Sequence, residues 1–268
     1  MLPVSAKYGF EFITRPLYHR IRLGEGGIII FNLAHAWYAT QSVSQTTIQT
    51  LISTLVLCAL YGYNDFTDRE ADMNNPKKDS AFCKDIYEHA SIFLTVNIVL
   101  STAAFILCLV LIGKFQAVAV ASLFAVNVAY SSKLKSIPVA DIITVLIWGS
   151  LFVMIAGNPN MPLAVTAGIM TGIAHIFQML TDKTSDTKNN VKTSIVYFQR
   201  AEHWLIVSLY ALLSLFLFYQ SNAVLAASTL IPLSLYLITR KVAFSWYLSR
   251  LYFFVIWIVL LYNQYAGF

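Results

Sequence analysis

Asp65, Asp68 and Asp72 stand at i, i+3 and i+7 in the stretch NDFTDREAD, residues 64–72, directly after a long apolar run. If the helix of that run continues, the three carboxylates line one face, with Asn64 immediately before them. A second cluster, DKTSDTKNNVKTS at 182–194, places Asp182 and Asp186 one helical turn apart. Like charges at such spacing destabilise an isolated helix by roughly 0.2–0.5 kcal/mol per pair. Both clusters begin beside an apolar boundary, where water screens poorly, and the nearby lysines are few. A divalent cation offsets the repulsion. Mg²⁺ suits the donors: it takes oxygen ligands, keeps several waters and typically uses one or two carboxylates plus substrate phosphates. Two such faces opposite one another predict Mg²⁺ with a diphosphate between them and an apolar bundle beyond for a lipid tail.

The elements that must position these acids are membrane helices. The chain has 268 residues, 58% of them hydrophobic and only 12% charged, with a mean hydropathy of +0.66. That composition excludes an ordinary soluble domain. Residues 1–25 carry Lys7, Glu11, Arg15, Arg20, Arg22 and Glu25 with no apolar core between them, so no cleavable signal peptide is read there. Cys58, Cys83 and Cys108 are odd in number and lack metal-ligand spacing, which predicts neither a disulfide framework nor a zinc site.

A spanning helix needs about 20 mostly apolar residues. Charge-free stretches run over 27–64, 90–113, 115–132, 142–181, 204–239 and 251–268. Three of them are nearly double length, and each has a polar or proline-marked middle: TQSVSQTT at 40–47, GNPNMP at 157–162 and YQSNA at 219–223. Dividing those three predicts an all-α integral membrane protein of nine transmembrane helices in one domain, residues 1–268. Strands of a barrel would be shorter and would alternate apolar with polar.

Lysine and arginine set the orientation. With nine spans, all 18 Lys and Arg except Lys114 fall on the side of the N-terminus, which is therefore read as cytoplasmic. The 13 acidic residues, not used in that argument, fall on the same side. The charge of +5 is thus accounted for by topology, with no nucleic-acid partner. A plasma (inner) membrane with the active-site mouth facing the cytoplasm is expected.

Polar residues inside spans mark candidate sites or interhelical hydrogen bonds. His175, Gln178 and Asp182 stand at i, i+3 and i+7 on the sixth span, a stripe leading to the second cluster. Asn127 and Tyr130 are about a turn apart on the fourth. Asn32 and His35 share a face of the first span, and Asn97 is alone on the third. Asn32 and Asn97 are read as packing groups.

NDFTDREAD resembles the Asn-Asp-x-x-Asp-x-x-x-Asp signature of the UbiA superfamily of membrane prenyltransferases. DKTSDTKNNVKT (182–193) is similar to its second motif, and YSSKLK (130–135) to the Tyr and Lys segment between them. The resemblance covers essentially the whole chain. It implies that Asn64, Asp65, Asp68 and Asp72 form a first Mg²⁺ site and that Asp182 and Asp186 form a second. Tyr130 and either Lys133 or Lys135 would contact diphosphate, with Lys192 a further candidate and Arg20 and Arg22 able to close the site. His175 would contact the acceptor or take up a ring proton. The implied reaction ionises an allylic polyprenyl diphosphate and transfers the prenyl group to an electron-rich, typically aromatic, small-molecule acceptor within membrane lipid.

The chain also departs from the pattern. KKDSAFCKD follows the first motif where many relatives have Arg-Pro and a Gly, and Asn190 replaces the usual Gly of the second. LKSIPVADI (134–142) looks like the branch that transfers phosphoribose to a polyprenyl phosphate, which is a runner-up. A terpene cyclase shares the ionisation step and is a second alternative. A cation-coupled transporter is the remote one, since coupling sites usually lie near mid-membrane.

Overall fold

A computed structural model describes residues 11–15, 18, 25–73, 79–188, 191–199 and 201–266. Among these residues the secondary structure is helical, with no strand. The main helices are α1 (Ile28–Thr40), α2 (Val43–Asp72), α3 (Ser80–Glu88), α4 (Ala90–Leu111), α5 (Lys114–Ser132) and α6 (Ala140–Val153). They continue with α7 (Met161–Lys188), α8 (Ser194–Tyr197), α9 (Glu202–Tyr219), α10 (Ala223–Ser228), α11 (Leu230–Thr239) and α12 (Val242–Tyr265). Arg20 and Arg22, which the sequence offered as closing residues, lie outside the described residues.

Among the described residues, six helices are long and apolar enough to cross a membrane: α2, α4, α5, α7, α9 and α12. Ile28–Thr40, Ala140–Val153 and Ala223–Thr239 are shorter apolar helices at the places of the other three expected spans. The last of these is interrupted at Thr229, and Pro232 explains why. Its ring removes the N–H that would bond to the carbonyl of Ser228 and crowds that carbonyl.

The three expected divisions do fall between helices, but the first is much tighter than TQSVSQTT suggests. α1 ends at Thr40, Gln41 takes a left-handed conformation, and its N–H closes onto Trp37 O at 2.9 Å. Ser42 then caps α2 by accepting from Gln45 N. The remaining polar residues stay helical because the helix itself absorbs their hydroxyls: Thr47 Oγ1 donates to Val43 O at 2.8 Å.

The chain divides into two compact units. One comprises the described residues up to Ser132 together with Ile155–Asn158; the other comprises Lys133–Met154 and Pro159 onward. In the first, α2 packs against α1, α3, α4 and α5. Helix α3 is an element absent from the sequence reading. It is too short to span, and Lys84, Asp85 and Glu88 dilute its apolar content, yet Phe82, Cys83 and Ile86 are buried. Asp79 caps it, accepting from Ala81 N at 3.1 Å and Phe82 N at 3.2 Å. Phe12, in the helical turn 11–15, joins Phe82, Ile86 and Phe93 in one cluster. Its ring meets that of Phe93 edge-on at 4.8 Å.

In the second unit α7 is central, packing against α6, α9 and α12. The α6–α7 approach is made by small residues, as in close-packed membrane helices. A Cβ at Gly168 would lie 2.5 Å from the Leu146 carbonyl oxygen, and one at Gly172 2.7 Å from Leu146 Cδ2. Tyr210 on α9 hydrogen-bonds Ser249 on α12 at 2.6 Å, satisfying a buried phenol that apolar surroundings would otherwise penalise.

Candidate active site

The 30-residue α2 is about 45 Å long at 1.5 Å per residue, well beyond the roughly 30 Å of a hydrocarbon core. Its last turns therefore carry Asn64, Asp65, Asp68 and Asp72 past the apolar stretch without a break. Asp65, Asp68 and Asp72 are half-buried, whereas Glu70 in the same run is exposed. The adjoining stripe is occupied by Phe66 and Arg69. Phe66 stacks on Phe93 with ring centroids 6.5 Å apart. The Arg69 guanidinium lies 4.6 Å over the Phe66 ring and donates to Phe66 O at 2.7 Å. The arginine is thus held on the flank of the acidic face.

Below the motif, three neighbouring side chains fasten α2 in place. Asn97 Nδ2 on α4 donates to Ala59 O at 2.7 Å, and Asn127 Nδ2 on α5 donates to Leu60 O at 3.2 Å. Ser131 Oγ, also on α5, donates to Asn64 Oδ1. Asn97 is accordingly an interhelical group, as is Asn32, whose Nδ2 donates to Ser53 Oγ at 2.8 Å. The sequence left Asn127 between a substrate contact and an interhelical bond; in the structure it is 3% exposed and its amide lies on the Leu60 carbonyl. A Cβ at Gly62 would come within 2.6 Å of Asn97 Nδ2, so glycine is what admits this bond. Ser131 was missed by sequence reasoning, although it sits between Tyr130 and Lys133 in the segment already singled out. Tyr130 is half-buried at the end of α5.

The second cluster has the same local design. The 28-residue α7 runs about 42 Å, through Asp182 and Asp186 to Lys188. Both aspartates are half-buried, while Thr184, Thr187 and Lys188 are exposed. His175 and Gln178 are also half-buried, at the expected helical spacing from Asp182 and among buried Ile176, Phe177 and Met179. Lys183 turns to another partner: it pairs with Glu202 and donates to Gln199 O at 3.3 Å. Its charge is largely committed to α9. Val191 N donates to Asp186 O at 2.9 Å, ending the helix, and Thr193 caps α8 by accepting from Val196 N.

In the same unit, Lys133 is exposed and Lys135 is half-buried in the 3₁₀ turn Leu134–Ser136. Lys192 is exposed. Asp141, in the first turn of α6, is fully buried, a carboxylate to which sequence reasoning assigned no role. Its only signal was an acid at a helix start in the PVAD run.

Among the described residues no three His, Cys, Asp or Glu side chains converge as a ready-made metal cage. The donors nevertheless suit Mg²⁺, which dehydrates reluctantly and completes its shell with water and substrate phosphate rather than protein. Each helix end offers half-buried carboxylate oxygens, and the three cysteines, which would favour softer metals, are buried in the helical packing.

Long apolar helices, two of them carrying half-buried carboxylates near their ends, are those of an integral membrane protein. The family model described as "UbiA prenyltransferase family" matches residues 27–265, a stretch spanning both units, and the chain belongs to that family. Among solved structures it is similar to a UbiA homolog from Archaeoglobus fulgidus bound to GPP and Mg²⁺. The identity there is 16% and the TM-score 0.67, covering 94% of this chain and 99% of that one. The same homolog bound to DMAPP and Mg²⁺ matches at 15% identity and a TM-score of 0.60, covering 93% and 99%. At those identities the likeness concerns the fold. No curated protein matched the sequence.

Proposed function

We propose that this chain is a Mg²⁺-dependent intramembrane prenyltransferase that uses an allylic polyprenyl diphosphate and an electron-rich, aromatic acceptor. The observation carrying this reading is the continuation of α2 and α7 beyond their apolar stretches, each bearing half-buried aspartates at the family's motif positions. Asp65, Asp68 and Asp72, with Asn64, provide ligands of the first motif; Asp182 and Asp186 provide those of the second. Bound Mg²⁺ would neutralise the diphosphate and stabilise the charge that develops as it leaves.

The protein's own groups do the rest. Lys133 or Lys135, Lys192 and Tyr130 donate to diphosphate oxygens, and Arg22 adds positive charge. Apolar side chains exclude water from the allylic cation, and aromatic faces favour it electrostatically. His175 and Gln178 face the acceptor, with His175 taking up a proton when a ring carbon loses one. The three shorter apolar helices complete nine crossings, with the N-terminus and the acidic motifs on the cytoplasmic side of a plasma membrane. The binding of GPP or DMAPP with Mg²⁺ by the Archaeoglobus homolog supports the substrate class.

The test is incubation of purified protein with Mg²⁺, a panel of allylic diphosphates and lysate-derived acceptors, read by mass spectrometry. Prenylated acceptor with release of pyrophosphate is expected. A cyclic hydrocarbon released without acceptor would move the assignment to a terpene cyclase, and intact diphosphate throughout would end it.

A further inference from the structure

Asp141 has no part in the chemistry above, yet it is the centre of a closed hydrogen-bond knot. Its side chain is 0% exposed. Oδ1 accepts from Ile142 N at 2.8 Å and from Ser194 Oγ, and Oδ2 accepts from Ser194 N at 2.7 Å. The Ser194 hydroxyl also accepts from Val139 N at 2.6 Å. A buried carboxylate is costly unless its oxygens are satisfied; here three donors and the N-terminal turn of α6 compensate it. Ser194 needs a hydroxyl, because that oxygen both donates and accepts.

The knot holds a strained residue. Val139 has φ 71° and ψ −41°, a region that a β-branched side chain enters only when its surroundings impose it. The bond from its N–H to Ser194 is the imposed constraint. On one side of the knot the chain leads back through Pro138 to the turn carrying Lys133 and Lys135. On the other it leads back from Ser194 to Thr193 and Lys192, the last residues of the second acidic motif. Two loops separated by 53 residues between Asp141 and Ser194 thus leave from one junction.

We propose that Asp141 is a positioning residue, clamping the lysine turn 133–136 and the loop 191–194 together so that their basic groups meet the diphosphate as one preformed set. The inference rests on the prenyltransferase reading for its substrate, although the clamp itself does not. Preorganisation of this kind acts on binding of the charged group rather than on the acceptor.

The experiment uses the purified full chain and the variants S194A, S194T, D141N and the double variant V139G/S194A. Hydrogen exchange is followed in 133–139 and 191–194, alongside KM for the allylic diphosphate, KM for the acceptor, kcat and melting temperature. S194A is expected to lose protection in both loops together and to raise the diphosphate KM about tenfold, the scale of one lost bond to a charged group, with acceptor KM and kcat nearly unchanged. S194T keeps the hydroxyl and stays near wild type. V139G/S194A regains part of the loss, since glycine enters positive φ without being held. D141N sets an amide donor against donors and behaves like S194A or worse.

Wild-type diphosphate KM in S194A, or exchange that rises in only one loop, overturns the clamp. So does a fall in melting temperature with all kinetic constants intact. If the wild-type chain consumes no allylic diphosphate, the prenyltransferase reading falls, and the exchange data still decide the clamp: joint loss upholds it and loss in one loop overturns it.

Discussion

Ser131 donates its hydroxyl to the side-chain oxygen of Asn64, so the last turn of α5 is bonded to the first residue of the acidic motif on α2. The bond fixes which way the Asn64 amide faces and leaves its oxygen with one remaining lone pair for a ligand. Ser131→Ala should cost about 1 kcal/mol of stability and lower turnover several-fold. Asn64→Ala should lower turnover further. Because both act through one bond, the double variant should be no worse than Asn64→Ala alone, and a cycle of the four proteins measured by pyrophosphate release checks this. Strictly additive losses would separate the two residues.

The exposure difference within 64–72 makes a second prediction. Asp68 is half-buried on the motif face, whereas the Glu70 side chain is 73% exposed and beside Arg69 at 3.9 Å. Asp68→Asn and, independently, Asp186→Asn should each lower kcat on the order of 10²-fold, as expected when transition-state charge loses its stabilisation. Glu70→Gln should stay within about a factor of two, since an exposed ion pair contributes little. Added Mg²⁺ should partly restore the aspartate variants, which a titration of activity against Mg²⁺ would reveal.

These contrasts also indicate how far the sequence could be read. The i, i+3, i+7 pattern of Asp65, Asp68 and Asp72 was legible as one helix face, because α2 runs unbroken through Asp72. Asp141 was not legible: its importance comes from Ser194, far along the chain, and no local period reports such a pair. Helix α3 escaped for a different reason, as its buried face is only Phe82, Cys83 and Ile86. Asn127 read equally as a ligand contact or an interhelical group, because an amide near a motif suits either; what no local pattern reports is its bond to the Leu60 carbonyl on the neighbouring helix.

Close approach of α6 and α7 predicts intolerance to a single methyl group. At Gly168 a Cβ would sit 2.2 Å from Ser150 Oγ and 2.5 Å from the Leu146 carbonyl oxygen. A side chain can move aside; a helix carbonyl cannot without shifting the helix. Gly168→Ala should therefore destabilise by about 1–3 kcal/mol, and Ser150→Ala should not rescue it. At Gly27 a Cβ meets nothing within 4 Å, so Gly27→Ala should lie within about 0.5 kcal/mol of wild type. Thermal unfolding in detergent measures both. Equal melting temperatures would show that the helices separate more readily than their packing indicates.

The turn at 11–15 offers the last test, because its hold on α3 reaches the acidic motif through aromatic rings. Phe12 is 4% exposed and packs with Phe82, Ile86 and Phe93, and Phe66, between Asp65 and Asp68, packs against the same group. Arg15 adds an ion pair with Asp85 at 3.4 Å and lies 5.4 Å over the Phe82 ring. Being partly exposed, the ion pair contributes about 1 kcal/mol or less, whereas removing a buried phenyl ring costs about 3–5 kcal/mol. Phe12→Ala should therefore release residues 11–15 to rapid proteolysis and raise the KM for the allylic diphosphate, as Phe66 loses support beside the motif carboxylates. Arg15→Gln should do neither to a comparable extent. If Phe12→Ala cleaves quickly yet keeps its KM, the cluster anchors the N-terminal turn without bearing on the acidic face.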